Sequence, residues 1–467
     1  MSKLLWRVKL VAERQPGVTT ETELAGIERD AQAGLADLGL SLAEAKQLTA
    51  ALQAEIVPAQ VTALGECPRA CLACGRRLAS KGYSQARFRS LFGDVPVRVR
   101  RLVACPCQGR ASEAKSVAVL DFGRGAAVAP ELAYVTARYA ALAPFGKVAA
   151  LLSELLPVSG TQHASTVRSR TLRVGAAVVQ ANVAETAKEP TTAATGGPVV
   201  VGLDGGYVRN RHRAEGRRFE VVAGKVIHTD GVQHRFAFTR TSPAVTAEAF
   251  RQALAAAGVD TDASTTVLCD GDAGLWRLQR EVLPGATVVL DWWHAAVRFE
   301  HALQVARSLG RDAAAARLSG TAVRGLERAK WRLWHGRWLG CRRRLAALCR
   351  WTECRTVREV AGIDKLRQRT ADLLGYLGRN EAALVHYDAR RRRGEPIATS
   401  FVESAVDEII AWRMAKAQQM RWSRATVQPF LDVRIAVLND TLEGAFRRRH
   451  PGFRPANDDQ RPITAAA

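Results

Sequence analysis

The sequence predicts a multidomain α+β protein whose C-terminal half holds a mixed α/β core interrupted by a block of helices. Three observations predict it. At 467 residues the chain is too long for one ordinary domain. Residues 184–197 are small and polar and contain Pro and Gly, which is typical of an interdomain linker. Beyond that linker, short apolar runs with strand composition alternate with helical patterns.

Three regions are predicted before the linker. Residues 1–62 form an N-terminal helical region, because apolar residues recur at helical spacing over residues 22–38 and 41–53. Residues 63–115 are rich in cysteine and strand formers, which predicts a zinc-ribbon-like module. Residues 116–183 form a second helical region, resembling a helix-turn-helix DNA-binding domain.

Two pairs of cysteines flank the strand-forming segment of the module. Cys71 and Cys74 precede it, and Cys105 and Cys107 follow it. Two cysteine knuckles joined by a β-hairpin can supply the four thiolates of a structural Zn²⁺ site. The second pair is separated by one residue rather than two, so Cys67 is an alternative ligand. The other interpretation is a small module packed around reduced thiols.

The second helical region contains two adjacent helical patterns separated by Pro157 and Gly160. The second pattern, residues 161–173, would present polar side chains that can contact base edges and phosphates in a major groove. The candidates are Gln162, Arg168 and Arg173. A plain structural hairpin would have the same pattern, so both interpretations stay open.

Residues 198–440 contain the predicted α/β core. Strands are expected at 199–203, 218–227, 234–239, 265–269 and 286–290, and helices at 245–257 and 275–283. Three adjacent strands followed by alternating helices and strands resemble the ribonuclease-H-like order, a mixed sheet with helices on both faces. Residues 296–395 interrupt this core as a basic helical insertion, and residues 441–467 are expected to form a basic, flexible tail.

The charge of the chain predicts an anionic partner. The formal net charge is +23, and residues 296–395 hold 23 Lys and Arg against 10 Asp and Glu. Basic side chains that neutralise phosphates release condensed counterions, so a double-stranded DNA partner is expected. Arg390, Arg391 and Arg392 are the DNA contacts predicted at the end of the insertion.

Features of secretion and membrane insertion are missing from the sequence. The N-terminus lacks the apolar core of a signal peptide, and no stretch approaches about 20 uninterrupted apolar residues. Nine cysteines, odd in number and clustered, do not suit a disulfide framework. The prediction is therefore a cytoplasmic protein in a reducing compartment, with no membrane partner.

Three acids of the core form a candidate catalytic set. Asp204 and Asp270 each end a predicted strand, and Glu403 opens an amphipathic stretch. Carboxylates so arranged can hold two Mg²⁺ or Mn²⁺ ions, which clamp the attacking and leaving oxygens of a phosphodiester. Each acid alone has an ordinary explanation: the aspartates could belong to turns, and Glu403 could form a capping box with Ser400.

Two other aspartates could be the second acid of the set. Asp272 lies two residues beyond Asp270, and Asp291 follows the next predicted strand. His294, three residues further, could orient the site or contact phosphate; otherwise it is a turn residue packed beneath the insertion.

At these residues the chain resembles a bacterial insertion-sequence transposase of the DDE type, closest to the ISKra family. The shared motifs begin at Leu203 (LDGGYVR), Asp270 (DGDAGL), Leu290 (LDWWH), Leu333 (LWHG), Ser400 (SFVESAV) and Arg413 (RMAKAQQMRW). They cover roughly residues 198–440, with weaker likeness before them. The resemblance implies a ribonuclease-H-like core with a helical insertion before its glutamate. It also favours Asp270 as the second acid, because an acid-x-x-His element follows that acid in related transposases.

The function that the resemblance implies is transposition. The protein would bind the terminal repeats of its element and catalyse cleavage and transfer of DNA strands with Asp204, Asp270 and Glu403 as metal ligands. A homodimer or higher oligomer on DNA is expected, because two DNA ends must be cut together. The alternatives are a non-catalytic, domesticated DNA-binding regulator and a structure-specific nuclease.

Overall fold

The chain divides into two compact units, Met1–Val178 with Thr441–Ala467 (unit 1) and Val179–Asp440 (unit 2). The computed structural model describes residues 3–14, 17–30, 34–67, 69–71, 73–108, 116–120, 122, 126–158, 162–186, 197–259, 264–309, 313–399, 404–415 and 420–454. Both units mix helices and strands, so the expected α+β class is confirmed. Within the described ranges, no helix has the length and hydropathy needed to cross a membrane.

Unit 1 begins with a β-hairpin, not with the predicted helix over residues 22–38. Strands β1 (Lys3–Arg14) and β2 (Val18–Asp30) pair in antiparallel fashion along their whole length. Gly17, with φ of +82°, takes a left-handed conformation directly before β2. Threonines and alternating charges favour an extended ribbon in β2, and cross-strand ion pairs such as Arg7–Glu23 link it to β1.

Helix α1 (Leu42–Glu66) confirms the second N-terminal helix and covers the sheet of the cysteine module. Ser41 and Glu44 form a capping box at its start. The sheet has the order β5-β4-β3-β6, with β3 (Ser80–Ser90), β4 (Gly93–Val103), β5 (Ser116–Ala118) and β6 (Ala126–Val128). Alternate residues of β4 are buried, and α1 packs its valines on them.

The helical region of unit 1 follows the predicted pattern. Its helices are α2 (Pro130–Leu142), α3 (Phe145–Leu155) and α4 (Ala164–Thr186). Buried faces at helical spacing, such as Val148 and Leu152 of α3, account for their formation. Helix α4 continues into the stretch that was predicted to be a linker, and residues 187–196 lie outside the described residues.

The sheet of unit 2 is mixed and has the order β11-β10-β7-β8-β9. Its strands are β7 (Val199–Asn210), β8 (Arg218–Ile227), β9 (Gln233–Thr239), β10 (Thr265–Cys269) and β11 (Thr287–Leu290). The first three strands are antiparallel neighbours, whereas β10 and β11 run parallel to β7. Strand β7 is therefore central, and all five predicted strands are confirmed.

Helices surround this sheet and extend its core. They are α5 (Pro243–Ala256), α6 (Ala273–Val282), α7 (Trp292–Arg307), α8 (Ala313–Trp334), α9 (Trp338–Thr352), α10 (Ile363–Arg379) and α11 (Tyr387–Arg392). The predicted insertion is helical, and its buried residues belong to the same hydrophobic cluster as the strands. Insertion and sheet are thus packed as one core.

The rest of unit 2 returns to the sheet. A π-helical segment (Asp407–Ala415) lies against β7, a short strand β12 (Arg421–Trp422) pairs with the end of β7, and α12 (Arg424–Leu438) packs on β9. The predicted flexible tail begins instead with a helix of unit 1, α13 (Leu442–Arg449). Its Phe446 packs edge-on against Tyr134 of α2, with ring centroids 5.3 Å apart, and this contact accounts for the ordered helix.

Candidate active site and metal centre

Three aspartates emerge side by side at one edge of the unit 2 sheet. The last residues of β10 and β11 are paired in parallel with each other, and β10 ends opposite Leu203 of β7. The next residue on each strand is an aspartate: Asp204, Asp270 and Asp291. Adjacent strands lie about 4.8 Å apart, so these residues form a row, called here the acidic edge.

Asp204 lies within strand β7 and not in a turn. Its Oδ1 accepts a hydrogen bond from the amide of Gly205 at 2.7 Å. A Cβ on Gly205 would lie 2.9 Å from a carboxylate oxygen of Glu220, and one on Gly206 would lie 2.4 Å from Cδ1 of Ile410. Gly205 therefore allows the Glu220 carboxylate to approach one face of the strand, and Gly206 allows the π-helical segment to approach the other face, which is that of Asp204.

The loop that carries Asp270 is held by helix α10. Tyr376 donates its hydroxyl to the backbone carbonyl of Asp270 at 2.8 Å. Gly271 has φ of +93°, and Asn380 Nδ2 lies 2.8 Å from the position of its missing Cβ. Burial raises the pKa of Tyr376, which keeps the phenol protonated as a donor. Asp270 Oδ1 in turn accepts the amide of Asp272 at 2.9 Å.

Asp272 and Asp291 are both helix N-caps. Asp272 Oδ1 accepts the amides of Gly274 and Leu275, at 2.8 and 3.0 Å, at the start of α6. Asp291 is fully buried, and its Oδ1 accepts the amide of Trp293 at 2.6 Å at the start of α7. Asp272 and Asp291 therefore have structural roles as N-caps, whereas Asp204 and Asp270 each accept the backbone amide of a nearby residue without capping a helix.

The second oxygen of Asp291 is also engaged. Thr399 donates its hydroxyl to Asp291 Oδ2, and His294 Nε2 lies 3.7 Å from the same oxygen. His294 therefore contacts Asp291 of the acidic edge, and its role in orienting the site or contacting phosphate stays a prediction.

Two residues near the acidic edge, an arginine and a glutamate, were not predicted from the sequence to belong to the site. Arg240 NH1 contacts both carboxylate oxygens of Glu220, at 2.8 and 2.9 Å, and lies 3.6 Å from Asp272 Oδ1. The charge of Glu220, with burial and the charge of Asp272, raises the pKa of the exposed Tyr207. These residues come from three separate segments, so no local motif contains them. The one signal is an acid in strand β8, whose other residues are apolar except for Arg218 and Lys225.

Glu403, the third predicted acid, lies outside the described residues. The described residues on either side of it contact the acidic edge or its strand. Thr399, four residues before it, bonds Asp291, and Ile410, seven residues after it, packs on Gly206.

The contact between Gly206 and Ile410 yields a stability prediction. Gly206→Ala should destabilise the protein by about 1–3 kcal/mol, because the added methyl overlaps the Ile410 side chain. Gly378→Ala in α10 is the control, since its Cβ meets nothing within 4 Å and alanine favours a helix. Urea unfolding measures both variants. Equal stability of the Gly206→Ala variant and the wild type would contradict the contact.

The four predicted zinc ligands of unit 1 lie together. One ligand atom from each of Cys71, Cys74, Cys105 and Cys107 lies within 4.8 Å of the others, and the described residues hold no other such group. The Sγ atoms of Cys71 and Cys107 are 3.4 Å apart, and those of Cys74 and Cys105 are 3.5 Å apart. The set can bind a structural metal ion such as zinc.

The geometry of the first knuckle suits thiolate ligands. Backbone amides of Ala73 and Cys74 donate to Cys71 and lower the pKa of that thiol to about 6. Gly75, with φ of +71°, closes the turn by donating its amide to the Cys71 carbonyl at 2.9 Å. Cys67 is not part of the group; it ends α1 and donates its thiol to the Ala63 carbonyl. The shorter second knuckle therefore does not require Cys67.

The predicted DNA-reading side chains differ in exposure. Arg173 is exposed on α4, and Arg168 is half-buried. Gln162 is half-buried and lines a cavity, so it is not a side chain on an open surface. Arg170, which the sequence analysis did not select, is only 4% exposed and lines the same cavity.

The three arginines at the end of the insertion also differ. The Arg390 side chain is 11% exposed and forms an ion pair with Glu395 at 3.0 Å, so its role is structural. Arg391 and Arg392 are exposed, and Arg392 pairs with Asp388 at 2.7 Å. Most other basic residues of the insertion helices are exposed, so the insertion presents many cationic side chains to solvent.

Comparison with known proteins adds no relative to these observations. No protein-family model matches the chain, and no curated protein matches it significantly. Any functional inference therefore depends on the residues and geometry of the chain itself.

Proposed function

We propose that this protein is a DDE transposase of an insertion sequence, as its resemblance to the ISKra family suggests. The observation that carries the proposal is the adjacency of Asp204 and Asp270 on neighbouring parallel strands. The order of the sheet supports a ribonuclease-H-like core, because three antiparallel strands are followed by two parallel strands connected through helices. Glu403 would complete the acidic set.

The acids of the site fit a hard divalent cation, since Mg²⁺ and Mn²⁺ favour carboxylate oxygens. Asp204, Asp270 and Glu403 would hold the ions, which when bound supply charge stabilisation and an activated oxygen nucleophile for phosphodiester chemistry. Tyr376 fixes the Asp270 loop through its hydrogen bond, and Asn380 packs closely against Gly271 of that loop. Glu220 and Arg240 form an ion pair near Asp272, on the face of the sheet opposite to Asp204.

DNA binding is assigned to the cationic faces. The insertion carries more than half of the excess positive charge of the chain, and its exposed arginines can contact phosphates without reading sequence. Sequence recognition of the element ends belongs in this proposal to unit 1, where α4 offers Arg168 and Arg173. Binding should weaken steeply as salt concentration rises.

The test of the function is a cleavage and strand-transfer assay. Purified protein is incubated with Mg²⁺ or Mn²⁺ and DNA that carries the two ends of the element encoding this chain. Cutting at the ends followed by joining to target DNA supports a transposase. Cutting without joining indicates a structure-specific nuclease, and binding without cutting indicates the non-catalytic regulator.

The bond from Tyr376 to Asp270 gives a second test of the site. Tyr376→Phe should lower cleavage by about tenfold, because the loop of Asp270 loses a buried donor that fixes its position. The free energy of unfolding should fall by about 1 kcal/mol.

Tyr387→Phe is the matched control for this change. Tyr387 is equally buried and donates its hydroxyl to the carbonyl of Leu290 at 2.9 Å. It should lose similar stability but keep cleavage within about twofold of the wild type. Equal loss of cleavage in both variants would refute a specific role for Tyr376.

A further inference from the structure

One face of the N-terminal β-hairpin is apolar and open to solvent. Alternate residues of a strand share a face, and residues directly opposite each other on antiparallel strands lie on the same face. The pairing of Trp6 with Ile27 therefore defines one face of the hairpin, called here the apolar face. Its side chains are those of Leu4, Trp6, Val8, Leu10, Ala25 and Ile27. Leu4 and Trp6 are 48% and 51% exposed.

The other face of the hairpin is ionic. Three cross-strand ion pairs lie on it: Lys3–Glu28, Arg7–Glu23 and Lys9–Glu21. This face is therefore well suited to water, whereas the apolar face is not. A two-stranded ribbon on its own is at best marginally stable in water, and covering its apolar face would stabilise it.

A turn with four exposed leucines extends the apolar surface. Arg29 lies opposite Leu4 and donates to the carbonyls of Asp37 and Gly39, both at 2.8 Å. Residues 34–42, called here the leucine turn, are thus held at the end of the apolar face, and they expose Leu35, Leu38, Leu40 and Leu42. Of the 26 large apolar side chains that are exposed among the described residues, nine lie between residues 4 and 42. Such a concentration is typical of a protein-binding surface.

The charge of this segment indicates which partner covers it. Residues 3–42 contain five Lys and Arg against six Asp and Glu, although the chain as a whole carries +23. A DNA-binding surface would have an excess of basic residues, so DNA is not the partner here. Two copies of so cationic a chain repel each other, and they can approach at least cost where the positive charge is missing. We propose that the apolar face and the leucine turn form the contact between two copies of this chain.

The size of the surface predicts a weak dimer. In a twofold dimer the same face of each copy meets the other. Strand β1 has 12 residues, so the ribbon is about 40 Å long and about 10 Å wide, and its apolar face covers about 400 Å². Stable interfaces bury about 800 Å² on each partner. The ribbon supplies about half of that area, so the leucine turn has to contribute, and we expect a dissociation constant of the order of micromolar.

This dimer differs from an oligomer that assembles on DNA. It forms without DNA, through residues that lie outside the candidate active site. The inference therefore does not rest on the proposed function, and a protein that fails to cut DNA would leave it unaffected.

Sedimentation equilibrium of the full, nuclease-treated chain tests the contact. We expect the average mass to rise towards twice that of one chain as the concentration rises from about 1 to about 100 μM. The dimer should be at least as tight at about 0.5 M NaCl as at about 0.15 M, because salt screens the repulsion between the two cationic chains. Association bridged by residual DNA would weaken steeply over the same range.

Two neighbouring substitutions of the same kind separate the two faces. Trp6→Lys should weaken the dimer by about 100-fold or more, because a charge replaces a buried aromatic side chain twice in each dimer. Leu5→Lys is the control: Leu5 is 54% exposed and lies opposite Glu28 on the ionic face, so the dissociation constant should stay within about threefold of the wild type.

A second variant keeps the test decisive. Circular dichroism checks the fold, and Leu4→Lys, on the apolar face, replaces Trp6→Lys if that variant is unfolded. The proposal is overturned if the wild type stays monomeric up to about 100 μM, which would leave this surface to a different partner. It is also overturned if the dimer dissociates as salt rises, if the folded apolar-face variant dimerises like the wild type, or if Leu5→Lys loses as much affinity as Trp6→Lys.

Discussion

Replacing Asp204 or Asp270 by asparagine should lower the rate of DNA strand cleavage by about 1,000-fold, with DNA binding retained. Asparagine keeps the size of aspartate but removes the negative charge that would hold a divalent cation. A loss of this size corresponds to about 4 kcal/mol of transition-state stabilisation. The two acids lie on adjacent strands at one level, so both variants should lose activity to a similar degree.

The matched control is Asp272→Asn, the same chemical change two residues from Asp270. Asp272 caps α6, and asparagine caps helices as well as aspartate does, so cleavage should stay within about tenfold of the wild type. Asp291→Asn should chiefly lower stability, because Asp291 is a buried cap. Loss of cleavage in Asp272→Asn with activity kept in Asp270→Asn would make Asp272 the second acid instead.

Measurement of Mn²⁺ binding distinguishes loss of the metal from other causes of lost cleavage in these variants. Electron paramagnetic resonance of free Mn²⁺ should show tighter binding by the wild type than by Asp204→Asn or Asp270→Asn. Glu403→Gln belongs in the same series, since Glu403 is the third proposed ligand. Unchanged Mn²⁺ affinity in all three variants would remove the metal from the proposed mechanism.

The sheet of unit 2 could be predicted from sequence because its strands are buried apolar runs separated by turns. Five of its six strands were found, and the two-residue strand β12 was not. Strand β7 is longer than predicted because pairing with β8 continues through Gly205 and Gly206. The N-terminal hairpin was not predicted, although apolar and basic residues alternate in β1 from Trp6 to Leu10. Its two strands form an exposed ribbon, and the apolar Leu24 and Ile27 of β2 lie three residues apart, a spacing that also fits a helix.

The candidate site was also predicted only in part from the sequence. Asp270 follows the end of a strand, and Asp204 lies within one, directly after the apolar run that begins β7; both apolar runs are visible in the sequence. Tyr376 and Arg240 reach the site only through tertiary packing, and Tyr376 lies 106 residues from the Asp270 carbonyl that it bonds. The N-cap roles of Asp272 and Asp291 likewise became evident from backbone amides that the sequence does not show.

Removal of zinc should unfold the cysteine module of unit 1 and lower its melting temperature by about 10 °C or more. Without a metal, thiols with Sγ atoms 3.4–3.5 Å apart would crowd one another, and ionisation of one would oppose ionisation of the next. Structural zinc contributes about 10 kcal/mol or more to the folding of zinc-finger peptides. The metal would tie the segment before β3 to the segment after β4, so its loss frees both ends of the hairpin.

Cys105→Ser and Cys67→Ser separate a ligand from a bystander. Cys105→Ser should lose bound zinc and stability, whereas Cys67→Ser should keep both, because Cys67 caps α1 outside the group of four. Metal analysis of the purified protein gives the stoichiometry, and thermal unfolding with and without a strong chelator gives the effect. One zinc per chain, lost in Cys105→Ser alone, is expected. If the protein contains no zinc and its melting temperature does not change with the chelator, the module is stabilised by reduced thiols and by the packing of α1 on β4.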